Sequence, residues 1–174
     1  MKNKMSAVLY ALICIANPFF WHLLFNLGKI IDAWSDIPVF IINKTNSIFA
    51  LYNLRYILEL RTSENFLSRF LFNKFTLLVN DMSDILSLIS LKTYFIDNKV
   101  FDKFELIHFF FIPIWFVGFY ALFKNRNFWP FIALFVTGFF VYILDQKNLN
   151  FLILPSFVHT YIIYYGFRFL YEKK

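Results

Sequence analysis

A chain of 174 residues that is 60% hydrophobic, 24% aromatic and only 16% charged points to a membrane class before any motif is considered. Its net charge of +6 is spread along the sequence and not gathered into a patch, so nucleic-acid binding has no support. The single cysteine, Cys14, excludes an intrachain disulfide and any Cys-based metal motif, and packing is its expected role.

The first apolar run, residues 5–27, follows Lys2 and Lys4. Its start resembles the basic and apolar regions of a signal peptide, but no small-residue cleavage site follows, and the run continues through Phe19, Phe20, Trp21, Leu23, Leu24 and Phe25. The expectation is an uncleaved first transmembrane helix over 1–27, kinked at Pro18. Ala7 and Ala11 give it a small-residue face for a neighbouring helix.

Residues 28–104 differ in character, because polar side chains recur too often for a lipid-spanning helix. Asp32 and Asp36 follow the first run at a position similar to the catalytic acid of lipid-linked sugar transferases of the GT-C class. Capping and solvation is the ordinary role for such a pair. Asn43 and Thr45 form a glycosylation sequon, a frequent chance match. Ile48, Leu51, Leu54 and Leu58 lie at helical spacing. Over 63–80 the apolar positions Leu67, Phe70, Leu71, Phe75 and Leu78 face away from a polar stripe of Asn65, Arg69, Asn73, Thr76 and Asn80. Thr62 or Ser63 caps this helix in the sequence reading. A third helix is expected over 83–96, with Asp84 in its first turn favourable to the helix dipole and Asp97-Asn98 ending it. No period-two strand pattern competes. The segment is expected to be an amphipathic helical layer on the side opposite the termini, its five-residue stripe a candidate partner interface.

Residues 105–174 hold three apolar runs, 106–123, 128–144 and 150–170, joined by short charged links at 124–127 and 145–149. A hydrocarbon core about 30 Å thick needs roughly 20 apolar helical residues, close to these lengths. Lipid offers an unpaired backbone no hydrogen-bond partner, so the runs must be helical. The expected fold is all-α: a polytopic membrane protein with four transmembrane helices and a helical interfacial layer between the first and second. Pro130 belongs to a first turn, where its missing donor costs nothing, whereas Pro113 and Pro155 are expected inside helices and should kink them. Ala133 and Thr137 offer a second small-residue face, and Trp115, Trp129, Tyr142, Tyr164 and Tyr165 are belt or packing aromatics.

Basic residues favour the side on which the protein is made. Lys2 and Lys4, Lys124 and Arg126, and Arg168, Lys173 and Lys174 therefore share one side, and residues 28–104 and the 145–149 link lie on the other.

Ionisable groups inside the membrane are where chemistry is sought. His22, His108 and His159 are the whole histidine inventory, and each falls in or at an apolar run. One reading pairs His22 with His108 as axial ligands of a b-type haem. The other has each histidine neutral and hydrogen-bonded to a neighbouring helix. Trp, Leu and Phe flank both residues where a macrocycle needs small neighbours, so no cofactor and no metal is expected. His159 has no second histidine at its depth, and Thr160, Tyr161 or Tyr164 is its expected partner. No phosphate loop, zinc-protease motif, nucleophile elbow or Cys–His pair occurs, and no catalytic residue is assigned.

Phe, Ile, Asn, Lys, Tyr and Met make up about half of the chain, while Gly numbers 4 and Pro 5. These are residues of AT-rich codons, so part of the 27 Phe reflects codon bias and not function. The profile resembles organelle-encoded membrane subunits of the respiratory chain, such as ciliate mitochondrial reading frames. That resemblance is compositional and spans the whole chain. It implies a non-catalytic accessory subunit of a respiratory complex or ATP synthase in the mitochondrial inner membrane, with other subunits and lipid as partners. A bacterial cytoplasmic membrane protein is the alternative setting. The alternative function is a small membrane enzyme or transporter fragment, either a GT-C-like remnant or a haem electron carrier.

Overall fold

The computed structural model describes residues 2–35, 74–100, 103–144 and 149–172. They are mostly helical: α1 (Lys2–Ala16), α2 (Pro18–Phe25), α3 (Leu27–Ser35), α4 (Lys74–Leu88), α5 (Ile112–Lys124), α6 (Trp129–Leu144) and α7 (Leu149–Glu172). A π-helical turn (Thr93–Asp97), a hairpin of β1 (Lys99–Val100) and β2 (Phe104–Glu105), and a 3-10 turn (Phe109–Phe111) lead from α4 into α5.

The first apolar run breaks where a kink was expected. A residue preceding proline is pushed out of the helical region, and Asn17 is extended, at φ −101° and ψ 141°. Pro18 then opens α2, where no donor is missed. The two helices meet at 80°. Asn26 ends α2 with its side-chain amide on the His22 carbonyl at 3.2 Å.

Helix α4 runs without interruption through the boundary expected near residues 80–83, where neither Gly nor Pro occurs. Asp84 consequently lies in its third turn and not in a first turn. Asp81 is tolerated inside the helix because its carboxylate accepts the Tyr142 hydroxyl of α6. The turn after α4 is closed by Thr93, whose hydroxyl donates to the Ser87 carbonyl at 2.6 Å, and the π-turn gives way to extended backbone at Asn98. The hairpin pairs Lys99 with Glu105 and Val100 with Phe104 in antiparallel register. Two-residue strands are too short to leave an alternating pattern, which is why the sequence contains no trace of them.

Part of the 28–104 segment enters the interior of the bundle. Ile85, Leu88, Tyr94 and Phe95 are buried in the same core as residues of α1, α2, α5, α6 and α7. Helix α7 is the centre of that core and packs against α1, α2, α3, α5 and α6. It is buried over most of residues 151–164, including the polar Ser156, His159 and Thr160.

Helices α5 and α7 approach closely at Gly118 and Gly166. A Cβ on Gly118 would collide with the Ile162 carbonyl oxygen and stand 3.0 Å from the Gly166 nitrogen. A Cβ on Gly166 would collide with the Ile114 carbonyl oxygen and stand 3.0 Å from the Gly118 nitrogen. The expected small-residue faces lie elsewhere. Ala7 and Ala11 are exposed, and the Thr137 hydroxyl bonds back to Ala133 at 2.8 Å within its own helix.

Pro113 is a second correction. The helix starts at Ile112, so Pro113 occupies its first turn and not its interior. Pro130 lies in the first turn of α6, as expected, and Pro155 lies inside α7. Among the described residues no single helix is both long and apolar enough to cross a membrane. Helix α5 has 13 residues and α6 has 16, hence about 20 and 24 Å at 1.5 Å per residue. Two bent pairs have the length and composition together: Ala7–Ala16 with Pro18–Phe25, and Phe109–Lys124 with Trp129–Leu144, the latter at 117°.

Candidate functional site

The three histidines have separate surroundings. His22, on α2, places Nε2 3.2 Å from the Asn150 side-chain oxygen at the start of α7. Its Nδ1 lies 3.3 Å from the Asn26 amide nitrogen. An amide oxygen at one nitrogen and an amide N–H at the other fix the proton on Nε2. His108 precedes the 3-10 turn, and its ring stacks on Phe110 with centroids 5.2 Å apart and planes 18° apart. The functional element at His108 is its backbone, whose N–H donates to Asn17 Oδ1 at 3.1 Å.

That bond belongs to a junction of irregular backbone with no counterpart in the sequence reading. The Phe19 N–H donates to the Leu106 carbonyl at 3.1 Å, the Leu106 N–H to Asn98 at 3.2 Å and the Ile107 N–H to Tyr94 at 3.0 Å. Asn17 is fully buried and also donates through Nδ2 to the Ile13 carbonyl at 2.8 Å. The break after α1, the π-turn and the stretch before α5 thus satisfy one another. Buried non-helical backbone is tolerated only when protein supplies its hydrogen bonds.

His159 stands at the middle of α7 and is fully buried. Its partner is none of the three residues expected from sequence. Trp115 of α5 donates its indole N–H to His159 Nδ1 at 3.1 Å. Thr160 instead bonds back to the Ser156 carbonyl at 2.8 Å. The Tyr94 ring lies 4.5 Å from the imidazole and the Phe95 ring 6.3 Å, so the π-turn closes over it. Accepting at Nδ1 leaves the proton on Nε2. Among the described residues that N–H meets no acceptor in hydrogen-bonding geometry, although the Ile89 backbone lies close enough to act on the ring. The Tyr94 hydroxyl donates to the Leu88 carbonyl at 2.6 Å, and burial pushes this phenol well above its ordinary range, so it stays a donor. A neutral imidazole in an aromatic box is suited to holding α5, α7 and the π-turn in register.

A groove of about 500 Å³ opens between α1, α6 and α7. Tyr10 contributes from α1, Trp129 and Ala133 from α6, Phe157 and Tyr161 from α7, and Asn127 from the joint before α6. The Tyr10 hydroxyl donates to the Phe157 carbonyl at 3.1 Å, fixing α1 along one wall. The joint is a Schellman cap: the Asn127 N–H reaches the Leu122 carbonyl at 3.0 Å and the Arg126 N–H the Phe123 carbonyl at 3.1 Å. Arg126 takes the left-handed position, at φ 54°. Glycine is usual there, and a residue with a Cβ is strained by about 1–2 kcal/mol.

The chain matches no protein-family model, no curated protein and no solved structure. Function therefore rests on the side chains. Asp32 is exposed on α3, and its carbonyl accepts the Ser35 hydroxyl at 2.6 Å. Asp36, Asn43, Thr45, Leu67, Phe70 and Leu71 lie outside the described residues. Phe75 and Leu78 fall in the first two turns of α4. Cys14 is buried beside Tyr10. Among the described residues no group of three or more His, Cys, Asp or Glu side chains is arranged to hold a metal ion.

Sequence reasoning missed Trp115 as the histidine partner, Asn17 as the junction and Gly118 with Gly166 as the crossing. Only the glycines left a signal: of 4 in the chain, three fall inside the late apolar runs.

Proposed function

We propose that this chain is an integral membrane protein that crosses the bilayer four times. In this reading it serves as a non-catalytic accessory subunit of a larger energy-transducing assembly, a respiratory complex or ATP synthase of the mitochondrial inner membrane. The observation that carries the reading is the outward face of its helices. Phe116, Phe119, Tyr120 and Phe123 form an exposed stripe on α5, and Ile132, Phe135, Val136, Phe139 and Phe140 form another on α6. Val8, Leu12 and Ile15 form a third on α1. Contiguous apolar surface of this extent is not left in water. Helices of about 20 and 24 Å are short for the bilayer, and a short span is accommodated by local thinning or by association with neighbours.

The placement of charge supports the shared side of the termini. Asn125 beside Lys124 donates to the Tyr165 hydroxyl at 3.1 Å, toward the C-terminal end of α7. Asn127 shares its groove with Tyr10 of α1. His22 and Asn150 meet at the other end. Solubilisation in mild detergent, followed by native electrophoresis and mass spectrometry, tests the assignment. The chain is expected in a band many times the mass of one copy, together with other hydrophobic subunits. Migration as a monomer or dimer would remove the accessory-subunit reading.

A further inference from the structure

We propose that the groove between α1, α6 and α7 binds one anionic phospholipid, with an acyl chain along Tyr10, Ala133 and Phe157 and the phosphate at Lys124 and Arg126. This rests on the membrane reading above.

The first argument is charge complementarity. The joint, α6 and α7 together carry three cations, Lys124, Arg126 and Arg168, against a single acid, Glu172. Glu172 is already committed to Arg168 at 2.9 Å. Lys124 and Arg126 are both exposed, and among the described residues neither is paired with a carboxylate. An apolar slot walled by Asn127, in a joint whose Lys124 and Arg126 pair with no carboxylate among the described residues, matches an amphiphilic anion. Free phosphate would occupy only the charged end, and a zwitterionic lipid would gain nothing from the net positive charge.

The second argument is the backbone at Arg126. Helix termination favours glycine at this left-handed position, yet the chain places a guanidinium there, at φ 54° and adjoining Asn127 on the groove wall. The strained position puts a cation one residue before Asn127 of the groove wall. Trp129, 76% exposed and lining the same groove, has the amphipathic ring that settles at headgroup level.

The test uses the purified full chain in mild detergent with mixed micelles of dioleoyl phosphatidylglycerol or dioleoyl phosphatidylcholine. Native mass spectrometry reads the lipid retained. One equivalent of phosphatidylglycerol should be held with a roughly thirtyfold preference, the equivalent of about 2 kcal/mol from two basic side chains near an anionic headgroup. Lys124→Gln with Arg126→Gln should erase the preference. Arg126→Gly should weaken it while raising the melting temperature, a combination that misfolding does not give. Ala133→Trp should fill the slot and lower retention of both lipids. Inorganic phosphate should not displace the bound lipid. Equal retention of the two lipids, a preference that survives the double substitution, or displacement by phosphate alone would each overturn the site. Extraction of native membranes with alkaline carbonate separates the two proposals. A chain that stays in the pellet but shows no preference refutes the lipid site alone, and a chain released to the supernatant refutes the membrane reading beneath it.

Discussion

The side-chain oxygen of Asn17 accepts the backbone N–H of His108 at 3.1 Å, across 91 residues of sequence. One amide therefore ties the break in the first apolar run to the unwound approach of the second. Neither irregular stretch is stable alone, because each exposes backbone groups that a helix would have satisfied. Together they hydrogen-bond one another around the fully buried Asn17, Leu106 and Ile107.

Asn17→Leu keeps the volume and removes both bonds. The half-buried His108 N–H loses its acceptor, at a cost of up to about 1–3 kcal/mol. Thermal unfolding in detergent, followed by circular dichroism, should show a lower midpoint than the parent. An unchanged midpoint would mean that the junction finds other partners.

The glycines are not equivalent. Gly118→Ala and Gly166→Ala each push a methyl into the carbonyl oxygen of the facing helix, and backbone cannot step aside as a side chain does. Overpacking of this kind costs about 1–3 kcal/mol. At Gly138 the obstacle is a side-chain methyl of Ile89, which has a rotamer to move to. Gly138→Ala should therefore be the mildest of the three in the same unfolding assay, and a reversed order would refute the backbone contact.

Trp115→Phe keeps an aromatic ring but takes the donor from His159 Nδ1, leaving a buried imidazole with neither nitrogen bonded. The expected loss is about 1–3 kcal/mol. Adding His159→Leu removes the polar group altogether. The double variant should be more stable than Trp115→Phe alone, because exchanging both partners for apolar groups is close to neutral. Additive losses in this double-mutant cycle would show that His159 is held by something other than the tryptophan.

Topology is tested by labelling. Cysteine at Asn127 should react with a membrane-impermeant maleimide only from the side of the termini, and cysteine at Asn98 only from the other, in a background with Cys14→Ser. The charge distribution of Lys124, Arg126 and Arg168 motivates this expectation. Labelling of both sites from one side would end the four-crossing reading.

The sequence by itself determined the helical class and the positions of the last two helices, α6 and α7. Apolar runs and charged joints are local properties, and helix α6 begins at Trp129 with Pro130 in its first turn, where the run predicts it. The end at Asp97-Asn98 is local in the same way, although it closes the π-turn and the α-helix expected over 83–96 already stops at Leu88. Tertiary structure decided the rest. Whether Pro18 kinks a helix or breaks it depends on the Leu106 carbonyl, which accepts the freed Phe19 N–H, and on the His108 N–H, which donates to the Asn17 side chain. Whether Asp81 ends α4 or continues it depends on a tyrosine 61 residues away. Periodicity records which residues avoid water, and it is silent on which of them meet. The Trp115–His159 bond and the Gly118–Gly166 crossing are such meetings, fixed by packing between helices whose order along the chain carries no mark of it.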